Sequence, residues 1–173
     1  MKLVRITFGC LCLSLCAVMP CLAKEWRGIG PLHSTRSDVL KLLGTPKHTW
    51  ETATEYFDLD DEKVTIKWID PSCERKYPIE SVRDVRPDDL VLAILVYPKK
   101  PIPTKELDIP AVGYMTLGCH PNSFCTVWSF EAGFGFTTSK GGVTELHHEA
   151  SNDEFKAWSD NHKACQPSVK NAT

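Results

Sequence analysis

Apolar positions along this chain change rhythm several times, and each change marks an element. The first 23 residues are the extreme case: Lys2 and Arg5 form a basic head, Ile6–Met19 an apolar stretch, and Pro20-Cys21-Leu22-Ala23 a small-residue exit. That layout reads as a secretory leader, too short and wrongly flanked for a membrane span. The next rhythm is helical. Val39, Leu42 and Leu43 fall at i, i+3 and i+4, which predicts one apolar helical face. Ser34 and Thr35 supply capping hydroxyls, Asp38 follows three residues after Thr35, and Gly44 and Pro46 end the helix. Thr54–Leu59 and Lys63–Ile69 then form two β-rich runs around Asp60-Asp61-Glu62, the pattern of a hairpin. In the second run Val64, Ile66 and Trp68 alternate with Thr65 and Lys67, predicting one buried face and one wet one.

Residues 70–88 are rich in proline and charge and read as a long excursion. Leu90–Tyr97 is an unbroken apolar run, the best candidate for a central strand. Pro98, Pro101, Pro103 and Pro110 make the next stretch a loop or edge connection, because proline cannot serve a central ladder. Phe124–Phe130 and Phe134–Thr138 are aromatic and β-branched, and Gly141-Gly142 turns the chain into Val143–His148. Ser151 with Glu154 makes a second capping box. The helix behind it places Phe155, Trp158, His162 and Cys165 on one face, pointing toward the body. The fold class that follows is α+β: a short N-terminal helix packed on an antiparallel β-sheet built from hairpins, with a C-terminal helix.

Loss of the leader alters the cysteine and charge balance. Of the eight cysteines, Cys73, Cys119, Cys125 and Cys165 remain, an even number in an oxidising compartment, which reads as two disulfides with three connectivities open. Cys119 and Cys125 bracket a short loop and are paired here, leaving Cys73 with Cys165. Loss of Lys2 and Arg5 takes the formal charge from −2 to −4, against a nucleic-acid partner. Residues 24–173 are then a single exported domain, large enough to build a core without metal or disulfide rescue. No second apolar run reaches membrane-span length. Lipid attachment at Cys21 is disfavoured, since Val18-Met19-Pro20 fits the required preceding residues poorly.

The stretch Gly30-Pro31-Leu32-His33-Ser34-Thr35-Arg36-Ser37-Asp38-Val39, continuing to Leu42-Leu43-Gly44-Thr45-Pro46, resembles the opening of a group of small secreted bacterial proteins. More distantly, a capped helix with a Gly-x-Pro exit and an immediate hairpin is similar to the BamE/SmpA outer-membrane lipoproteins and the β-lactamase-inhibitor-protein fold. The resemblance spans about residues 26–100 and implies a non-catalytic adaptor of the bacterial envelope.

Candidate chemistry is sparse. Asp58-x-Asp60-x-Glu62 begins like a calcium loop, but Lys63 and Ile69 occupy the positions that need Gly and Glu. His147 and His148 are adjacent on a strand and so point to opposite faces. None of the histidines has a zinc-ligand spacing, so no metal or cofactor is expected. A thiol enzyme would draw on Cys119 with His120, and a hydrolase on the His147-His148 pair; structural disulfide use is the stronger reading in an exported chain. Gly133-Phe134-Gly135 reads as a bulge or turn. Trp68 and Trp158 fit core faces, whereas Trp26 and Trp50 flank the first helix; packing over its edges is the favoured reading for both, and exposure as a contact pair the alternative. His33, Trp50 and Tyr56 are therefore the candidate binding residues. The expected function is an exported, non-enzymatic binding or scaffold module with a protein partner in the cell envelope, periplasmic or secreted. A small secreted enzyme and an inhibitor of a secreted enzyme are the alternatives. The oligomeric state stays open.

Overall fold

The computed structural model describes residues 24–50, 53–72, 85–109, 113–119, 124–139 and 142–162. Residues 1–23, expected to be a secretory leader, and Cys73, His120 and Cys165 lie outside the described residues. The first regular element is helix α1 (Arg36–Leu43), which starts where the Thr35 hydroxyl accepts the Asp38 N–H and the Asp38 carboxylate accepts the Thr35 N–H. Each group satisfies an amide that a helix start would otherwise leave open. Gly44, at φ 79°, closes it by donating its N–H to the Leu40 carbonyl, a backbone sign that glycine adopts without Cβ strain.

The apolar stripe of α1 is shifted from the expected one. Val39 is fully buried, Leu40 and Leu43 pack against the core, and Leu42 is 57% exposed. At about 100° per residue, Leu43 and Leu40 follow Val39 around one side of the helix, and Leu42 lies roughly 60° beyond the other.

The strands are β1 (His48–Trp50), β2 (Thr54–Asp58), β3 (Glu62–Ile69), β4 (Leu90–Pro98), β5 (Met115–Cys119), β6 (Phe124–Ser129), β7 (Phe134–Ser139) and β8 (Gly142–Glu149). They form one antiparallel sheet in the order β1-β2-β3-β4-β8-β7-β6-β5. Two four-stranded meanders are therefore joined side by side through β4 and β8. That junction has four register pairs, Ala93↔Glu149, Ile94↔His148, Leu95↔His147 and Val96↔Leu146. The apolar run of β4 suits its place between β3 and β8. β1 and β5 went unpredicted because neither alternates buried with exposed positions at length: β1 has three residues and β5 is exposed throughout.

Alternation along the strands gives the sheet an inner and an outer face. Phe57, Val64, Ile66, Ile94, Val96, Leu146, Phe134 and Phe136 are buried on the inner side. On the outer side Lys63 and Lys67 are exposed, as expected, but Thr65 is only 9% exposed. It sits in register between Tyr56 and Leu95, and those larger side chains shield it.

The segment before α1 supplies much of the inner cover. Trp26 and Ile29 face each other across a two-residue turn, exchanging backbone hydrogen bonds of 3.0 and 2.8 Å. Arg27 and Gly28 take φ 51° and 77°, the handedness that a tight hairpin turn requires. Trp26 and Leu32 are each 8% exposed and Ile29 is fully buried. Trp26 is thus a core residue, packed as the favoured reading has it, because the turn folds it under the sheet. The Leu32 N–H donates to the Val91 carbonyl and the Val91 N–H to the Ser34 carbonyl, stitching the segment to β4.

Helix α2 (Asn152–Asn161) starts at Ser151 with the expected capping box to Glu154. It differs from expectation in its burial: no residue in it is buried, and Phe155 is 45% exposed. Trp158 is half-buried and stacks on His162 at 4.7 Å instead of entering the core. The helix is tethered at its first turn, where the Asn152 N–H donates to the Phe130 carbonyl and Glu154 reaches His33.

One ion pair crosses from α1 to the sheet. Arg36 donates from Nε and Nη2 to Glu55 Oε1 at 3.0 and 2.7 Å, and Glu55 is fully buried. Removing one partner of such a pair leaves a buried charge uncompensated. Arg36→Ala is expected to lose about 3 kcal/mol in urea unfolding, most of it recovered on adding Glu55→Gln. An unchanged denaturation midpoint for Arg36→Ala would remove this pair from the forces holding α1.

Candidate functional site

At the β1 edge, register places His48 opposite Tyr56 and Trp50 opposite Thr54. Period-two alternation then puts His48, Trp50 and Tyr56 on one face. The Tyr56 ring lies 6.2 Å from His48, stacked, and 6.0 Å from Trp50. Trp50 is 48% exposed, His48 is exposed and Tyr56 half-buried. Of the three candidate binding residues, the structure brings Trp50 and Tyr56 together and places His33 elsewhere. His33 Nε2 lies 3.3 Å from Glu154 Oε1, linking the α1 approach to α2. His48 is the residue that sequence reasoning missed. Its two-residue spacing from Trp50 was the available signal.

A single register row crosses the outer face from this edge: His48, Tyr56, Thr65, Leu95, His147, Gly135, Trp128 and Met115. Trp128 sits one strand short of the far edge. Its ring lies directly over Gly135, where any Cβ would collide with the indole. The seated indole meets His147 edge-on at 5.6 Å and Phe130 at 6.1 Å. Around it opens a depression of about 400 Å³, lined among others by Lys67, Ala93, Trp128, Phe130, Glu149 and Phe155. Phe130 and Phe155 are each 45% exposed. The floor is thus aromatic and aliphatic, with one ammonium and one carboxylate among its lining groups. Between the two aromatic groups, burial and then the charge and hydrogen bond of Glu145 push the Tyr97 hydroxyl up to about 12, so it stays a neutral donor at physiological pH.

The residues proposed for catalysis are engaged otherwise. Cys119 forms a disulfide with Cys125, the expected pairing, across β5 and β6. His147 faces Trp128 and lies 3.3 Å from Glu145, whereas His148 is buried on the inner face against Phe134 at 5.1 Å. The two imidazoles point apart, as strand alternation requires. Asp58 pairs with Lys99 at 2.9 Å and Lys47 at 3.2 Å, and Glu62 with Arg27 at 2.7 Å. The acidic turn is thus a set of ion pairs tying the β2–β3 hairpin to its neighbours. Among the described residues no group of three or more His, Cys, Asp or Glu side chains is placed to hold a metal ion, and no helix is long and apolar enough to cross a membrane.

No protein-family model matches the chain, and no curated protein or solved structure matches it.

His148 carries a pH dependence. Its Nδ1 lies 2.8 Å from the Lys24 carbonyl, and Nε2 is buried with no hydrogen-bond partner. Burial, opposed only in part by that bond, and the nearby positive charge of Lys24 and His147 lower its pKa to about 4. The unfolded chain takes up this proton near pH 6.5 and the folded chain does not, so folding is favoured above pH 6.5 and loses ground as pH falls toward 4. The expected loss is about 3 kcal/mol. His148→Gln keeps a donor but cannot titrate in this range. The difference between its unfolding profile and that of the parent should shrink over this interval, and parallel profiles would show that His148 is not the acid-sensitive group.

Proposed function

We propose that this chain is an exported, non-enzymatic binding module of a bacterial envelope that recognises another protein through the outer face of its sheet. The observation that carries the reading is the pair of aromatic groups on that face: His48, Trp50 and Tyr56 at one edge, and Phe130 and Phe155 around Trp128 toward the other. Trp50, Phe130 and Phe155 keep between 45 and 48% of their surface in water. Large aromatics left partly exposed near charged residues resemble the anchors that dominate protein interfaces. Lys63 and Lys67 stand exposed on the same face, which suits a partner with apolar projections and an acidic rim. The capped helix, Gly-x-Pro exit and following hairpin that resemble the BamE/SmpA adaptors support the same reading. The leader-like first 23 residues support export.

Site-specific photo-crosslinkers at Trp50 and Phe130, with Asp60 as a surface control, test it in the producing cell. A discrete protein adduct is expected from Trp50 and Phe130 and none from Asp60. With the partner so identified, Trp50→Ala or Phe130→Ala should weaken binding at least tenfold, as truncation of an interface anchor does, with stability changed by under about 0.5 kcal/mol, as for ordinary surface substitutions. Adducts equally frequent at Asp60, or binding indifferent to both substitutions, would sink the reading.

A further inference from the structure

The outer-face aromatics leave one feature unused: the free edge of the sheet at β5. Strand order places β5 last, paired only with β6 among the described residues. The Cys119–Cys125 Cα separation of 4.2 Å marks a non-hydrogen-bonded register pair. The N–H and C=O of Cys119 are therefore directed away from β6, toward the open side. All five residues of β5 are exposed, with Met115 at 52% and Leu117 at 55%. Natural edges are guarded by charge, proline, brevity or a bulge. The run Gly113–Cys119 holds no charged residue and no proline. Among the described residues its guard is the register shift between Thr116 and Gly118. The opposite edge is guarded by brevity, since β1 has only three residues, and Lys47 stands directly before it.

We propose that β5 pairs with β5 of a second copy of this chain, antiparallel about a two-fold axis, to make one sheet continuous across the dimer. A two-fold sets each residue of an edge against the same strand in the other copy, so any charge on it would face its like. The uninterrupted neutrality from Gly113 to Cys119 removes that repulsion, and it is the charge pattern that self-pairing selects. The disulfide holds β5 against β6 before any partner arrives, which lowers the ordering cost of pairing. The bulge shortens the regular ladder. The contact is then smaller than the roughly 1,000 Å² of a stable interface, and the dimer is weak and concentration-dependent.

Sedimentation of the oxidised protein from about 10 µM to about 1 mM, the range suited to a sub-standard interface, tests this directly. The weight-average mass is expected to rise toward twice the monomer, while amide exchange slows at Cys119 with increasing concentration. Leu117→Lys should hold the protein monomeric across the range. Leu42→Lys, an equally exposed leucine on α1, should leave association unchanged and so separates edge pairing from general apolar stickiness. A monomer at every concentration overturns the proposal, as does equal sensitivity to both substitutions or to neither. Protection of the β5 amides only by a different protein overturns it as well. Crosslinking from Trp50 and Phe130 should be unaffected by Leu117→Lys, so self-pairing and partner recognition can fail separately.

Discussion

The four register pairs between β4 and β8 hold the architecture together. Within each meander most neighbouring strands are joined by short connections that close locally, the β3–β4 connection being the long one. The seam is different: it brings Ala93–Val96 against Leu146–Glu149, residues 50 or more positions apart in the chain. His148 lies in that seam, opposite Ile94 on one side and Phe134 on the other, with its Nδ1 directed at the Lys24 carbonyl. Three separate parts of the chain thus meet at one neutral imidazole. A histidine held this way joins an aromatic contact and a directed hydrogen bond, which an aliphatic residue would not supply. Its buried second nitrogen makes the same junction sensitive to acid.

Among the described residues little helix covers the sheet's inner face. α1 spans eight residues and contributes Val39, Leu40 and Leu43. The remaining cover includes the irregular segment from Trp26 to Leu32, whose backbone groups bond to one another and to β4. An irregular segment can serve in a core only when its amides find partners, and the Trp26–Ile29 turn and the bonds to Val91 provide them. Arg36 and Glu55 then join helix to sheet in a place where a lone charge would be costly. Among the described residues the outer face lacks such cover toward its two ends, and there the aromatic rings meet water.

Legibility in the sequence followed the strength of periodic and capping signals. Both capping boxes were readable, because Thr35 with Asp38 and Ser151 with Glu154 are local arrangements needing no tertiary information. The β2–β3 hairpin and the central place of β4 were readable from alternation and from an unbroken apolar run. The Cys119–Cys125 pair was readable from its short loop. Packing of Trp26 was the favoured reading, but the route to it was not legible, since its burial depends on a turn that puts Arg27 at positive φ, a conformation its residue type does not announce. α2 was expected to dock a full face, but a helix joined directly to β8 is held at its first turn and need not lie down. The candidate site was half legible. Trp50 and Tyr56 stand out as aromatics near the first hairpin, whereas the depression around Trp128 assembles residues from β3, β4, β6, β8 and α2, a convergence that only the sheet order creates.

The seating of Trp128 on Gly135 bears on how this fold diverges. The two positions are cross-strand neighbours, and the indole fills the space a side chain at 135 would need. Glycine there is fixed by the ring above it, and the ring has its flat bed only while glycine remains. Drift at either position alone meets a penalty; drift at both together opens a differently shaped surface on the same sheet. Descendants of a common ancestor would therefore divide into lineages keeping the Trp–Gly couple and lineages that have exchanged both, each with its own surface relief.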